Sequence, residues 1–344
     1  MELSEYLPKS ALVVKTTEIK QPRFSVIDAH NHLGETFGGG WDQRPLSELL
    51  DVLDRSNIRR LVDLDGGWGE DILYRHLDKF KQAAPERFLV YGGVDWSAWP
   101  EQGDHFAEWA ARRLREQVRR GAQGLKIWKP LGLSVHDHHN KLVGVDDPRL
   151  DPIWQTAGEL HIPITIHVGD PVAFFWPLNG SNERYEELVS QPTWQFPSPP
   201  FPPLQTILDG LWKMVKRNPQ TTFITAHVGC YAENLAWVGA FLDDCPNLYV
   251  DIAARVPELG RQPYSSRRFF LKYADRIVFG MDLPANFESY RLYYRFLESD
   301  DEYFDYDISV PPPQGRWRIY GIFLPDEVLE KVYHGNAQKI LAKD

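Results

Sequence analysis

The sequence predicts an α/β fold closed into a distorted (β/α)8 TIM barrel, and three observations carry that prediction. Eight short apolar, β-branched runs recur along the 344 residues. Amphipathic, helix-like stretches separate several of them. No Gly-rich dinucleotide fingerprint follows an early run, and eight parallel strands would be large for the rival, an open doubly wound sheet.

The runs, in order, are FSVIDA (24–29), RLVDLD (60–65), FLVYGGV (88–94), GLKIW (124–128), IPITIH (162–167), TFITAH (222–227), NLYVDI (247–252) and RIVFGMD (276–282). Residues 45–56 place Leu46, Leu49, Leu50 and Leu53 on one helix face. Residues 105–121 are amphipathic and end in basic residues and Gly121, as a helix C-terminus should. Residues 146–161 open on Asp and Pro, a helix N-terminal signature. Residues 1–22 precede the first strand and read as a lead-in that covers the barrel floor, ahead of a single domain over 23–344. Residues 168–202, after the fifth run, are too long for a plain connector and too aromatic for a plain linker. They read as a lid over the barrel mouth, with an oligomer contact as the alternative.

Composition narrows the function classes. The chain is 43% hydrophobic and 25% charged, enough for a large core. Its net charge of −10, with no basic stretch, argues against nucleic acid or an anionic membrane surface as partner. No secretory signal and no run near the length of a membrane span is visible. The two cysteines, Cys230 and Cys245, are too few for a disulfide framework, so a reducing cytoplasm is the expected setting.

The ends of the runs carry the chemistry. His30 and His32 close the first, His167 the fifth, His227 the sixth and Asp282 the eighth. In a (β/α)8 barrel these ends meet at one face, where active sites are built. Side chains alternate along a strand, so His30 and His32 point the same way. Imidazoles and a carboxylate suit a divalent ion such as zinc. Such an ion lowers the pKa of water toward neutrality, and a nearby carboxylate can take the proton. His76, His105 and His161 fall in or beside helices and read as surface or packing residues. His136, His138 and His139 sit in a turn or small hairpin after the fourth strand.

The motifs DAHNH, IHVGD, TAHVG, FGMDLP and VYHGNAQKIL, spread over residues 24–342, resemble the amidohydrolase superfamily. The likeness is to its amidohydrolase-related (family 2) branch, which includes aminocarboxymuconate-semialdehyde decarboxylase. The resemblance implies one metal ion, usually zinc with manganese or iron as alternatives, held by His30, His32, His167 and Asp282. It implies that His227 stands beside the ion as an acid/base or substrate-polarising group, and that Asp282 accepts the proton of the attacking water. Asn336 matches a family signature and is expected to cap the last helix. Some relatives bridge two metals through a carboxylated lysine on strand four. Lys126 and Lys129 lie there, and Lys126 is expected instead as a charged residue inside the barrel. The activity implied is hydrolysis of an ester, lactone or amide-type carbonyl in a small molecule, with decarboxylation of an aromatic or unsaturated acid as the alternative. A decarboxylase needs a cation for the substrate carboxylate; Arg255 is the candidate, with an ion pair to Asp251 or to a nearby loop carboxylate as its bland reading. Trp41, Trp68 and Trp128 are either pocket walls or ordinary packing. A homodimer is a further expectation, since dimers are frequent in the branch.

Overall fold

Eight strands follow one another along the chain: β1 (Val26–Asn31), β2 (Ile58–Asp63), β3 (Phe88–Val90), β4 (Leu125–Ile127), β5 (Ile164–Ile166), β6 (Phe223–Thr225), β7 (Leu248–Asp251) and β8 (Ile277–Val278). Each overlaps one of the apolar runs. The computed structural model describes residues 5, 6 and 8–341. Positions 1–4, 7 and 342–344, the outer ends of the lead-in and of the main domain, lie outside the described residues.

Pairing is parallel throughout, in two arcs of order β1-β2-β3 and β4-β5-β6-β7-β8. Backbone hydrogen bonds carry the ring across both seams. Gly92 donates to Gly124 (2.9 Å) and Lys126 donates to Gly92 (2.8 Å), joining the end of β3 to β4. Ala29 donates to Phe279 (2.9 Å) and Asp282 donates to His30 (2.9 Å), joining β8 to β1. The first seam needs glycine: a Cβ on Gly92 would lie 2.0 Å from the Gln117 side chain. The principal helices that follow the strands are α1 (Leu46–Arg55), α2 (Glu70–His76), α3 (Phe106–Arg119), α4 (Asp151–Glu159), α5 (Leu204–Arg217), α6 (Leu235–Asp244), α7 (Pro263–Lys272) and α8 (Phe287–Glu298). Side chains cap two of their starts: Asn234 accepts from Trp237 N and Asn286 from Ser289 N.

Strand alternation sorts the core into two shells. Leu125, Ile127, Ile164, Ile166, Phe223 and Val250 join the helix-side cluster. Ile27, Ala29, Val62, Leu89, Ile224 and Val278 form a smaller cluster inside the barrel. Toward the mouth the interior turns polar, with Lys126, Thr165 and Thr225 all buried.

Three connections bear on the sequence reading. The lead-in runs against the end of α8: Thr17 bonds Asp301, Lys15 pairs with Asp300, and Arg23 N donates to Glu298. A cavity of about 840 Å³ remains at the floor, lined by residues such as Gln123, Pro163, Thr222 and Asn247 and by no described residue of the lead-in. The 168–202 insertion is ordered on its own aromatics: Phe174 stacks on Trp194, Phe175 meets Phe196, and Phe196 N donates to Phe174 O (2.8 Å). A second excursion, residues 299–324, is bridged at Phe304 and Ile319 and went unread in the sequence. The stretch around His136 is a small hairpin, with His136 bridged to Leu142.

Asn336 is buried, but it does not cap its helix. Its amide donates to Ala274 O (2.7 Å) and Ile277 O (2.8 Å), fastening the last helix to the start of β8. Asn336→Ala leaves both carbonyls without that donor. The expected loss is about 2–4 kcal/mol of stability, read as a lowered urea midpoint with an unchanged slope.

Candidate metal centre

The strand ends converge as the barrel requires. His30 and His32 come from β1, His167 from β5, His227 from β6 and Asp282 from just past β8. The four histidines are almost fully buried, and the Asp282 side chain keeps 20% exposure toward the mouth. Its carboxylate lies 3.2 Å from His32 Nε2, 3.8 Å from His30 Nε2 and 3.6 Å from His227 Nε2. The donor atoms of His30, His227 and Asp282 all lie within 4.8 Å of one another.

What aims these rings is the other nitrogen. His30 Nδ1 donates to Asp251 Oδ2 (2.7 Å), His32 Nδ1 to Asp65 Oδ1 (2.7 Å) and His227 Nδ1 to the Ala253 carbonyl (2.7 Å). With Nδ1 carrying the proton in each neutral ring, Nε2 presents a lone pair. In the neutral rings three Nε2 lone pairs and a carboxylate face one point, an arrangement suited to a cation. The donor set fits a divalent ion with nitrogen and oxygen ligands. A neutral His227 held at Nδ1 accepts at Nε2.

Burial and charge set the protonation states. Burial opposes ionisation of Asp282, but the neighbouring His30 and His32 outweigh it and hold its pKa well below the usual carboxylate range. Burial, with Arg255 and His167 nearby, pushes His227 well below its ordinary value. Burial lowers His167 to about 4. For His32, burial is outweighed by Asp282 and Asp65, which raise it to about 9. Burial brings Lys126 down to about 8.

His167 departs from the expected cluster. Its ring packs against His227 with centroids 4.4 Å apart, but its Nε2 has no hydrogen bond and faces Asp170 Oδ1 at 3.5 Å. Lys126 points inward as expected, with Nζ 3.5 Å from His30 Nε2 and 4.6 Å from the Trp128 ring. Trp128 is a wall of the mouth: it stacks on His32 (5.0 Å) and on Trp68 (3.9 Å), and Phe37 extends the platform. Trp41 is not part of it. It is 3% exposed, packed in the core, and Arg44 covers its ring at 3.6 Å. Arg255 is 7% exposed, and the one hydrogen bond of its guanidinium among the described residues goes to the neighbouring Ala254 carbonyl. It does not pair with Asp251, whose oxygens are taken by His30, His227 N and Ala253 N.

Several partners escaped the sequence reading. Asp65 accepts from His32 and from the amides of Leu33 and Gly34. Asp63 accepts from Asp65 N (3.2 Å) and from His76 Nδ1 (2.6 Å), so His76 is a buried partner and not a surface residue. Asp63, Asp65 and His76 form a second group with donor atoms within 4.8 Å of one another. Both oxygens of each carboxylate are already hydrogen-bonded, so Asp63 and Asp65 brace His32, while His76 Nε2 stays buried without a hydrogen bond. The Asp-Leu-Asp end of the second run was the available signal. Strand-end backbone is strained here: His227, Val228, Ala254 and Asp282 all have φ between +51° and +58°.

The comparisons agree with this architecture. The amidohydrolase family model matches residues 27–343. No curated protein sequence matches. Among solved structures, a 2,6-dihydroxybenzoate decarboxylase from Rhizobium aligns with TM-score 0.56 at 15% identity, over 92% of this chain and 98% of that one. A dihydroxybenzoic acid decarboxylase from a Polaromonas species, with bound manganese and the inhibitor 2-nitroresorcinol, gives TM-score 0.54 at 17% identity, over 92% of this chain and 96% of that one. The 5-carboxyvanillate decarboxylase of Sphingomonas paucimobilis gives TM-score 0.51 at 12% identity, over 92% and 98% of the two chains. At these identities the likeness shows the fold. No helix among the described residues is long and apolar enough to cross a membrane.

The bracing carboxylates give a direct test. Asp65→Asn leaves His32 in place but offers an amide that no longer enforces its tautomer. Affinity for Zn2+, measured by competition with a chromogenic chelator, should fall about 10- to 100-fold while far-ultraviolet circular dichroism is unchanged.

Proposed function

The chain belongs to the amidohydrolase family, and from that premise we propose that it is a metal-dependent hydrolase acting on the carbonyl of a small, planar, acidic substrate. The observation that carries this reading is Asp282: a buried carboxylate among three imidazoles, held ionised, with its exposed edge toward the mouth. An ionised carboxylate accepts protons. Hydrolysis begins with a proton acceptor, whereas decarboxylation ends with a proton donor.

His30, His32, His167 and Asp282 are the residues assigned to the ion, zinc in the first instance. Bound there, it supplies Lewis acidity that makes water more acidic and a carbonyl more electrophilic. The chain's own residues do the rest. Asp282 Oδ2 and His227 Nε2, 3.6 Å apart, accept the two protons of one water molecule and so orient it. The water oxygen bonds to the carbonyl carbon as Asp282 takes a proton. The C–O or C–N bond then breaks, and Asp282 returns that proton to the leaving atom. Arg255, buried beside His227 and in no ion pair among the described residues, receives an anionic group of the substrate. The platform of Trp128, Trp68 and Phe37 offers a flat face to stack on.

The same Arg255 and platform favour a second reading, loss of carbon dioxide from an aromatic or unsaturated acid. There the C–C bond breaks, its electron pair stays on the ring carbon, and that carbon takes a proton.

Metal analysis followed by a screen of lactones, esters, amides and aromatic acids tests the assignment. The expected result is about one divalent ion per chain, with a ring-opened or cleaved acid as product. Release of carbon dioxide from hydroxybenzoates or muconates would establish the second reading instead. Absence of bound metal, with no activity restored by Zn2+, Mn2+ or Fe2+, would remove both. Asp282→Asn should lower kcat about 100-fold or more. Arg255→Ala should raise KM for acidic substrates at least about 10-fold and leave neutral esters little changed.

A further inference from the structure

The 168–202 insertion carries a buried cation that the hydrolytic scheme does not use. Arg184 is 1% exposed. Asn182 accepts from its amide (2.9 Å), and the short helix Tyr185–Ser190 places Glu187 one turn further on. The Arg184 guanidinium bonds Glu187 (2.8 Å) through one nitrogen and Glu258 through another. Glu258 is buried and belongs to the short helix Val256–Arg261, one turn past Arg255. Beside it Arg261 pairs with Glu183 (2.7 Å), and the Trp317 ring lies 5.4 Å from the Arg184 guanidinium. Two buried carboxylates therefore share one planar fork, a geometry that a guanidinium supplies and an ammonium does not. Arg255 stands close enough for its charge to act on both Arg184 and Glu187, yet among the described residues it bonds neither glutamate. The second oxygen of Glu258 is buried without a hydrogen bond.

We propose that Arg184, by occupying Glu187 and Glu258, is what leaves the Arg255 guanidinium free for the substrate. The inference rests on the reading of Arg255 as the receiver of the substrate's anionic group. A buried carboxylate without a cation is costly, so these two glutamates take the nearest guanidinium on offer. Arg184 meets that demand from the lid side, and its own charge repels Arg255 from the pair. Without Arg184, the open oxygen of Glu258 and the released oxygens of Glu187 would draw the Arg255 guanidinium out of the mouth. The preference for an acidic substrate is thus set by a lid residue that need not touch it. Arg184 is a positioning residue, acting on Arg255 through two glutamates.

The test uses the full chain with Zn2+ present and two probes, isophthalate and benzoate, which differ by one carboxylate. Their affinities are measured by isothermal titration calorimetry. The ion can take one carboxylate of either probe, so the ratio of the two affinities reads the second anionic contact. Isophthalate should bind the wild-type protein about 10- to 100-fold more tightly than benzoate. Arg255→Ala should erase that advantage. Arg184→Met should erase it too, with Arg255 still in place and benzoate binding unchanged. Adding Glu187→Gln and Glu258→Gln to Arg184→Met removes the competing carboxylates and should restore the advantage. Should Arg184→Met alone fail to fold, Arg184→Met with Glu187→Gln leaves Glu258 as the single competitor and should lose the advantage in the same way. An Arg184→Met protein that keeps the advantage, or loses benzoate binding as well, overturns the inference. So does a triple variant that does not regain it, because a merely structural role predicts no rescue. If the wild-type protein shows no preference, or Arg255→Ala keeps it, the reading of Arg255 itself fails and the inference falls with it.

Discussion

One buried carboxylate organises the mouth of this barrel. Asp251, at the end of β7, is fully enclosed and accepts from the His30 ring, from His227 N and from Ala253 N. It therefore ties the ends of β1, β6 and β7 at a single point. Its bond to His30 fixes that ring's tautomer and turns Nε2 toward Asp282. Its bond to the His227 amide holds the turn from which that ring projects. Its commitment to three donors also has an indirect effect. Arg255, four residues further on, finds no carboxylate there and keeps its charge for something else.

Legibility in the sequence followed the same physics. All eight strands were readable, because a strand buried on both faces reads as a short apolar run, and amphipathic, helix-like stretches separate several of these runs. The five converging residues were readable because the repeat assigns every strand end to one face. The bracing layer was not. Asp65, Asp251 and Asp63 act through contacts with residues 33, 221 and 13 positions away, and no local pattern marks an aspartate that orients a histidine from one that faces solvent. Trp41 and Trp128 differ for a similar reason. Both follow a strand, yet Trp41 turns into the core and Trp128 toward the mouth, and only three-dimensional packing decides which. The 299–324 excursion, rich in Pro and Gly, has no periodicity to read; its order comes from Tyr306, whose hydroxyl donates to Gly315 O and accepts from the Gln314 and Gly315 amides.

The mouth is asymmetric, and the asymmetry describes a ligand. On the β2–β4 side stand Trp68 and Trp128, stacked at 3.9 Å, with Phe37 beside them. On the β7 side stands Arg255. The convergent lone pairs lie between. On the proposed reading, these features would suit a molecule with a flat face, a reacting carbonyl or carboxylate near its middle and a negative end. Lys126 adds a second constraint. Burial brings its pKa to about 8, and its Nζ lies 3.5 Å from His30 Nε2, so its charge is sensitive to whatever cation occupies the centre. A divalent ion bound there would disfavour the ammonium further.

The backbone shows how firmly this geometry is imposed. Residues other than glycine are rare at positive φ, and a β-branched one is rarer still. Yet His227 and Val228 adopt it in succession after β6, Ala254 after β7 and Asp282 after β8. Each such residue costs on the order of 1 kcal/mol or more, so the surrounding bonds must over-determine the conformation. They do: His227 N is held by Asp251, Ala254 N by Met281 O and the Tyr293 hydroxyl, and Asp282 N by His30 O. Two of these anchors come from the residues being positioned, or from a strand that carries one. His30 holds the Asp282 backbone while its own ring is aimed at the Asp282 carboxylate. The strand ends thus constrain one another around a closed circle, which is possible because β8 returns to β1. An open sheet with the same residues would leave Asp282 and His30 on opposite edges, and closure of the barrel is the condition for a site at all.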